Sequence, residues 1–438
     1  MVPAAPHPGI AMPAPASASS PSGPRRVDPQ EPVRPPLPRQ GFGWLAYLNY
    51  LFGISLCITL DKLWLRLKVT GLENIPARGP FLLLPNHTTF LDPFIICYPI
   101  LRPMRYMAAA GLLRIPILGS WLRALGSFPK MKYVKDPASM ATTQALWDQD
   151  QLITIFPEGR RTWDGDPTEV SDGIGRLIQR LDARVVFATL ENAYLMHPRW
   201  ARYPRRVPLR LRYEGPFRYP ADWTPEQVAE DVRQRVRAPQ RIEPGQSVWT
   251  FRMAHGLPNL LWSCLRCHAV EGLQVDPTDD DAVRCRSCGA AWRLDVETRL
   301  HPKDGVGPTL TVREAYREAL AHFAYPPRLG EALPASGDLV MEGARATLRR
   351  VGARSREVVA RGALRLFTDR LDVVEADGRV ALSLPLDSLR ALSVEVGNQV
   401  QVRQGDLLYD IQIADESVLR WGHFIKGWMN PGEVVDIG

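Results

Sequence analysis

A chain of 438 residues is long enough for about three domains and for cores that need no disulfide staples. Its 54 Lys and Arg against 47 Asp and Glu give a formal charge of +7, which favours anionic partners. Nucleic acid and anionic lipid both meet that condition, and charge alone does not choose between them.

Residues 1–40 are rich in Pro, Ala and Ser and hold no apolar run of signal-peptide type, so they read as a disordered tail outside the fold. Gly41 to Leu60 is then uncharged for 20 residues and contains Trp44, Tyr47 and Tyr50, enough to reach across a bilayer as a helix. Gly53 interrupts the run. Basic residues flank both ends, Arg34 and Arg39 before it and Lys62, Arg66 and Lys68 after it, so the positive-inside rule gives no orientation. A buried soluble helix fits poorly, because no polar face is present. The expectation is a membrane-associated helical segment over 41–62, either spanning or set into one leaflet.

Phe81-Leu82-Leu83-Leu84 reads as a buried strand, followed at once by Asn86-His87-Thr88-Thr89-Phe90-Leu91-Asp92. A side chain at the end of such a strand in an α/β sheet lies where ligands bind. An imidazole with an ordinary pKa of about 6.5, oriented by a carboxylate, suits removal of a proton from an attacking hydroxyl. His87 is the candidate base and Asp92 its orienter. Positions five apart on one continuous helix point about 140° apart, so a turn must intervene for the two to meet. Leu91-Asp92-Pro93-Phe94 supplies it, with Asp92 a favoured N-cap and Pro93 suited to the first helical position. Capping alone would also account for Asp92.

Pro116 to Leu125 and Ala141 to Trp147 read as helices. Gln151 to Phe156 is a β-branched, apolar strand that ends at Pro157 and Gly159, opening the exposed loop Phe156-Pro157-Glu158-Gly159-Arg160-Arg161-Thr162. Two adjacent guanidiniums on that loop offer forked donors to phosphate oxygens, and Gly159 lets a ligand approach the backbone. The plainer reading is a solvated Arg pair. Arg199, Arg202, Arg205, Arg206, Arg210 and Arg212 form a basic stretch, read as a solvated face or, with a lipid substrate, a headgroup-facing one. Thr224 opens a helix to about Val236, and Pro239 and Pro244-Gly245 mark a boundary.

The two motifs in this order resemble those of the glycerolipid acyltransferase superfamily, the lysophosphatidate acyltransferases in particular, whose marks are N-H-x-x-x-x-D and F-P-E-G-(S/T)-R-(S/T). The resemblance covers roughly Leu63 to Pro239 and includes the lead-in Lys68-Val69-Thr70-Gly71-Leu72-Glu73-Asn74-Ile75-Pro76. It implies an α/β acyltransferase core over 63–240, a central sheet covered by helices. His87 would take the proton from the acceptor hydroxyl while Asp92 holds the imidazole. Glu158, Gly159, Arg160 and Arg161 would shape the acceptor phosphate site, joined by Lys130 of the middle block Gly126-Ser127-Phe128-Pro129-Lys130. The donor would be acyl-CoA or acyl-ACP, and the acceptor a lysophospholipid, 1-acyl-sn-glycerol 3-phosphate above all. The enzyme would work on membrane lipids, associated with the cytoplasmic face. Three departures stand out: Arg160 replaces the usual Ser or Thr, the middle block is only approximate, and Arg184 to Leu190 lacks the family's Pro.

Cys264-Leu265-Arg266-Cys267 and Cys285-Arg286-Ser287-Cys288 have the ligand spacing of a four-thiolate structural zinc site. A rubredoxin-like iron site and two disulfides are the alternatives, and disulfides fit less well without a secretory signal. The segment 255–297 resembles a zinc ribbon, in which the metal replaces a hydrophobic core. Four cysteines leave no position for water, which argues against a catalytic zinc. Cys57 and Cys97, in apolar contexts, read as free thiols.

Thr311-Val312-Arg313-Glu314 is a capping box that opens a linker helix over 308–327. Short strands follow within 338–432: Leu364 to Phe367, Arg370 to Glu375 and Val380 to Leu384, the last two joined by Asp377-Gly378, then Leu392 to Val396 and Asp406 to Ile413. A final helix, Glu416 to Trp428, places Val418, Trp421, Ile425 and Trp428 on one stripe. The series resembles a pleckstrin-homology (PH) or GRAM-like β-barrel closed by a helix. Headgroup binding and protein binding both remain open for it, since no Lys and Arg cluster marks a headgroup pocket. The alternative to an enzyme is a non-catalytic, lipid-binding membrane scaffold with two interaction modules. Nucleic-acid binding through the ribbon is the third and disfavoured reading.

Overall fold

The computed structural model describes residues 23–28, 44–100, 102–115, 117–131, 136–322, 337–352, 356–395, 399–414 and 416–430. Its first unit runs through β1 (Arg25–Arg26), α1 (Trp44–Leu60), β2 (Lys68–Thr70), β3 (Phe81–Pro85), α2 (Asp92–Cys97), β4 (Met104–Ala109), α3 (Leu118–Ala124) and β5 (Phe128–Lys130). It continues with α4 (Pro137–Asp148), β6 (Leu152–Thr154), α5 (Asp172–Arg180), β7 (Val185–Glu191), α6 (Ala193–Met196), β8 (Arg210–Arg218) and α7 (Pro225–Arg235). The strands form one sheet in the order β1-β8-β7-β3-β6-β4-β5, with β2 beside β8. From β3 to β7 they run parallel.

Central β3 is buried at every position. Phe81 and Leu83 join one core with Ile95, Ile96, Val186 and Tyr194, while Leu82 and Leu84 join another with Ile178, Val185, Phe187 and Val232. An unbroken apolar run is what a parallel strand covered on both faces requires, and each leucine so buried contributes about 1.5–3 kcal/mol. Helices α2 and α6 cover the first face, α5 and α7 the second. The latter pair pack closely because Gly175 has no Cβ; one placed there would stand 2.0 Å from Pro225 O. The helix foreseen from Thr224 carries its full cap: the Thr224 hydroxyl accepts the Gln227 N–H and Gln227 accepts that of Thr224.

Part of the stretch expected to lie outside the fold pairs with the sheet. Arg25 and Arg26 align with Arg218 and Phe217, and Val27 is buried. The physical reason is that β2 covers only Arg210 to Arg212 of β8, leaving the rest of that edge for another strand. The expected helix over 116–125 is also shorter. A turn over Leu112–Arg114 precedes α3, and Pro116 lies outside the described residues.

The inner side of α1 buries Ile54 and Cys57, whereas Leu48, Phe52 and Leu56 are exposed. Its 17 residues amount to about 26 Å of helix, against about 30 Å of hydrocarbon in a bilayer. Among the described residues no helix is long and apolar enough to cross a membrane.

The second unit comprises α8 (Leu257–Leu260), β9 (Leu273–Asp276), β10 (Asp279–Cys285), β11 (Ala291–Leu294), β12 (Arg299–Pro302), β13 (Leu310–Thr311) and α9 (Val312–His322). Its antiparallel sheet has the order β13-β12-β11-β10-β9. The expected capping box is present, Thr311 and Glu314 each accepting the other's N–H. Residues 323–327 of the foreseen linker helix lie outside the described residues.

The third unit contains β14 (Leu339–Val351), β15 (Arg356–Phe367), β16 (Arg370–Val374), β17 (Val380–Pro385), β18 (Leu389–Glu395), β19 (Gln399–Gln404), β20 (Leu407–Ile413) and α10 (Val418–Met429). The strand order is β17-β16-β15-β14-β20-β19-β18, an open path: no ladder joins β17 to β18 among the described residues. The barrel-like unit expected here is thus an open sheet among the described residues, with the foreseen closing helix present as α10. A turn over Leu386–Ser388 carries the chain from one end of the path to the other, and α10 packs against that turn and against β18 and β19. Trp421, Ile425 and Trp428 of its foreseen stripe are all buried there. Val396 and residues 431–432, included in the foreseen strands and domain, lie outside the described residues. The second and third units share one core, which extends from Trp200 and Met253 through Trp262 and Tyr316 to Trp428.

Candidate active site and metal centre

Asn86 fixes where the first loop leaves the sheet. Its Oδ1 accepts the Leu190 N–H at 2.7 Å and its Nδ2 donates to Leu190 O at 3.2 Å, tying the end of β3 to β7. The next side chain, His87, places Nδ1 2.9 Å from Asp92 Oδ2, and the same oxygen accepts the N–H groups of Thr88 (2.7 Å) and Thr89 (2.9 Å). Asp92 is fully buried and is the first residue of α2, with Leu91 in the capping position. The expected N-cap role is therefore corrected: three donors of the preceding loop turn the Asp92 carboxylate away from the helix N–H groups.

The His87 ring lies flat on Phe156, with centroids 4.0 Å apart and 25° between planes. Burial holds the imidazole below its ordinary pKa; the Asp92 carboxylate pulls it up, Arg161 and Arg199 push it down, and burial prevails. The ring is thus neutral at neutral pH. With Nδ1–H directed to the carboxylate, Nε2 carries the lone pair, and it has no partner among the described residues.

Glu158 connects the two motif loops. Its Oε1 accepts the His87 N–H at 2.8 Å and its Oε2 the Thr168 N–H at 3.1 Å. Burial pushes its carboxyl up to about 8, against the pull of those two N–H groups. Gly159 makes the turn between them at φ 67°, where any side chain would be strained, and its N–H donates to Phe156 O.

Arg160 and Arg161 are half-buried. The charge of Arg161 acts on His87 and that of Arg160 on Glu158. Arg161 O accepts from Arg199 at 3.0 Å; the Arg199 guanidinium lies 3.8 Å from the Trp163 ring centre and also donates to Val394 O. Farther along the loop, Asp166 pairs with Arg313 at 2.9 Å and with Arg317, which also approaches Asp164 at 3.7 Å. The loop after the second motif is thereby braced by α9 and β18. The basic stretch read from the sequence splits accordingly: Arg199 braces the loop, Arg205 is fully buried, and Arg202, Arg210 and Arg212 are exposed.

Lys130 ends β5, on the same sheet edge as His87 but three strands from β3, roughly 14 Å at ordinary strand spacing. Its ammonium lies 3.9 Å from Asp136. Asn86, Phe156 and Thr168 are site residues that sequence reasoning assigned no role, and Arg199 was read as part of a solvated or headgroup-facing basic stretch and not as a brace. Asn86 stood in the motif itself, whereas nothing near Arg199 announced its partners.

The sulfurs of Cys264, Cys267, Cys285 and Cys288 all lie within 4.8 Å of one another. Cys264 to Cys288 and Cys267 to Cys285 are each 3.7 Å apart, too far for disulfides and close to the roughly 3.8 Å edge of a tetrahedron with zinc–sulfur bonds of about 2.3 Å. The N–H groups of Arg266 and Cys267 point to Cys264 Sγ and that of Ser287 to Cys285 Sγ, a pattern that stabilises thiolates. The donor set and its shape fit a tetrahedral metal ion.

Residues 66–190 match the family model described as Acyltransferase. The chain is 31% identical over 142 residues to the 1-acyl-sn-glycerol-3-phosphate acyltransferase of Borreliella burgdorferi, covering 31% of this chain and 56% of that protein. It is 31% identical over 101 residues to the Bacillus subtilis protein of the same name, covering 23% and 51%. The chain therefore spans about half the length of the curated relatives it matches. Among solved structures, the 1-acyl-sn-glycerophosphate acyltransferase PlsC from Thermotoga maritima aligns at 20% identity with a TM-score of 0.36, covering 44% of this chain and 77% of that one. A superposition that loose carries no argument.

Proposed function

We propose that this chain, whose residues 66–190 form an acyltransferase domain of the glycerolipid acyltransferase superfamily, is a membrane-associated O-acyltransferase acting on a lysophospholipid, 1-acyl-sn-glycerol 3-phosphate first among them. The observation that carries this reading is the hydrogen bond between His87 and Asp92, made at the end of β3 and locked to the second motif by Glu158.

In the reaction, His87 Nε2 accepts the acceptor hydroxyl proton as that oxygen attacks the thioester carbonyl carbon. The tetrahedral intermediate collapses with cleavage of the carbon–sulfur bond, and the thiolate of CoA or acyl carrier protein leaves with the proton from His87. Asp92 stabilises the imidazolium in between. Arg160 and Arg161 suit the acceptor phosphate, with Lys130 an outlying basic group on the same edge. Glu158 and Gly159 shape that loop from within. The exposed apolar side of α1 suits a lipid leaflet, where the acceptor resides.

The division 63–240, 255–297, 308–327 and 338–432 accompanies this reading, as an acyltransferase unit, a ribbon, a linker helix and a PH/GRAM-like unit. Cys264, Cys267, Cys285 and Cys288 would hold a structural zinc ion, which when bound cross-links the two cysteine turns.

The test is acyl transfer to lysophosphatidate and other lysolipids from acyl-CoA and from acyl-ACP, with products identified by mass spectrometry. His87→Ala should abolish ester formation in a correctly folded protein. Transfer at the wild-type rate by that variant would rule the mechanism out.

A further inference from the structure

A second surface outside the two motifs carries the chemistry of a lipid contact. The turn that follows α1 exposes Leu63 (74%) and sets Trp64 edge-on against Trp249, ring centroids 5.3 Å apart. Trp249, itself 49% exposed, stacks at 11° on Phe251, and Tyr203 meets the edge of Phe251 at 5.3 Å. The cluster is held from behind by paired backbone bonds between Arg206 and Trp249. Solvated loops do not ordinarily present so many aromatic rings together.

Basic residues adjoin these rings along the chain, Lys62 and Arg66 beside Trp64 and Arg202 beside Tyr203, its guanidinium 5.7 Å from that ring centre. Lys62, Arg66 and Arg202 are exposed and have no carboxylate partner among the described residues, whereas Arg252 and His255 share Asp280 at 3.0 and 2.8 Å. Exposed aromatics beside unpaired cations suit the headgroup level of an anionic bilayer, where rings sit at the interface and cations meet phosphate.

Continuity with α1 distinguishes a membrane from other anionic partners. Trp64 lies on the turn leaving α1, whose outer side exposes Leu48, Leu51, Phe52 and Leu56. The hydroxyls of that helix are turned inward onto its own backbone: Ser55 donates to Leu51 O and Thr59 to Ser55 O, both at 2.9 Å. Such back-bonding satisfies polar groups where water is absent. We infer that Trp64, Trp249 and Phe251, with the adjoining Lys62 and Arg202, form a second membrane contact continuous with α1 and selective for anionic lipid headgroups. This rests on reading α1 as lipid-facing. It adds an anchor from residues beyond the acyltransferase domain.

Full-length protein is to be co-sedimented with vesicles of phosphatidylcholine alone and of phosphatidylcholine mixed with phosphatidylglycerol. Unfolding temperature and metal content confirm the fold of each variant. Wild type should prefer the anionic vesicles. Lys62→Glu with Arg202→Glu should reduce that preference by about tenfold or more, each basic side chain near a surface being worth about fivefold. Trp249→Ala with Phe251→Ala should weaken binding to both vesicles, and Phe52→Glu with Leu56→Glu should abolish it. If the last pair alone affects binding, the second contact is wrong and the α1 reading stands. If wild type binds neither vesicle, both fail. If the patch variants lose only affinity for a single-stranded oligonucleotide, the patch serves nucleic acid and the inference is overturned.

Discussion

The carboxyl of Glu158 accepts the backbone N–H of His87 at 2.8 Å, so a residue at the end of one strand sets the backbone of a residue at the end of its neighbour. Glu158→Ala would leave two half-buried N–H groups without their acceptor, at a cost of up to about 1–3 kcal/mol. Displacement of His87 should lower kcat by about 10- to 100-fold. Glu158→Gln, which keeps one acceptor, should cost less in both. Denaturant unfolding and initial rates measure the two effects.

That same carboxyl makes stability depend on pH. Burial raises its pKa to about 8, so the folded protein keeps a proton that the unfolded chain releases from pH 4.5 upward. The resulting stabilisation is full below about pH 4.5, falls as pH rises and is gone above about 8. Unfolding curves of wild type and Glu158→Gln across this range should therefore differ in slope. Parallel curves would show that Glu158 is ionised throughout.

A base must be neutral to act, and His87 is held below its ordinary 6.5 chiefly by burial. The acid limb of kcat/KM should accordingly lie below pH 6.5, with a plateau above it. Asp92→Asn removes the carboxylate that raises the imidazole pKa, so the limb should shift to lower pH while kcat falls by about 10²- to 10⁴-fold. A limb above pH 6.5 in wild type would contradict the assignment.

Arg313 and Arg317 reach across from α9 to Asp164 and Asp166. Exposed ion pairs contribute little to stability, about 0–1 kcal/mol each, so Arg313→Ala with Arg317→Ala should unfold nearly as wild type does. The loop they brace carries Arg160 and Arg161, proposed above to meet the acceptor phosphate. KM for lysophosphatidate should rise by about three- to tenfold with kcat little changed. Equal KM values would mean the brace has no bearing on the acceptor.

If the four cysteines hold zinc as proposed, Cys285→Ser should lower it from about one ion per chain to none by elemental analysis and reduce the unfolding temperature. Equal metal content in variant and wild type would eliminate this site.

The two motifs were legible in the sequence because each follows an apolar run that could only be a buried strand, and the parallel sheet puts those strand ends on one edge. The cysteine spacing was legible for a similar reason: both turns are local. β14 was missed. Its ladder with β15 shifts register between Gly343 and Ala346, which breaks the two-residue alternation, and arginines fill its outer positions. β19 buries Val400 and Val402 among polar neighbours, too few apolar residues to announce a strand. Arg199 was illegible because its partners, Trp163 and Val394, come together only when distant parts of the chain have folded.

The shared core of the later units has a consequence for a chain still being made. Both motifs emerge early, yet α10 supplies Trp421, Ile425 and Trp428 to a core begun at Trp200, and buried His423 shares a 2.7 Å hydrogen bond with the Tyr316 hydroxyl. The Val394 brace on Arg199 belongs to that late assembly. A chain broken off before Val418 would keep every residue of both motifs and still lack the late-formed core behind the Arg199 brace on the second motif loop.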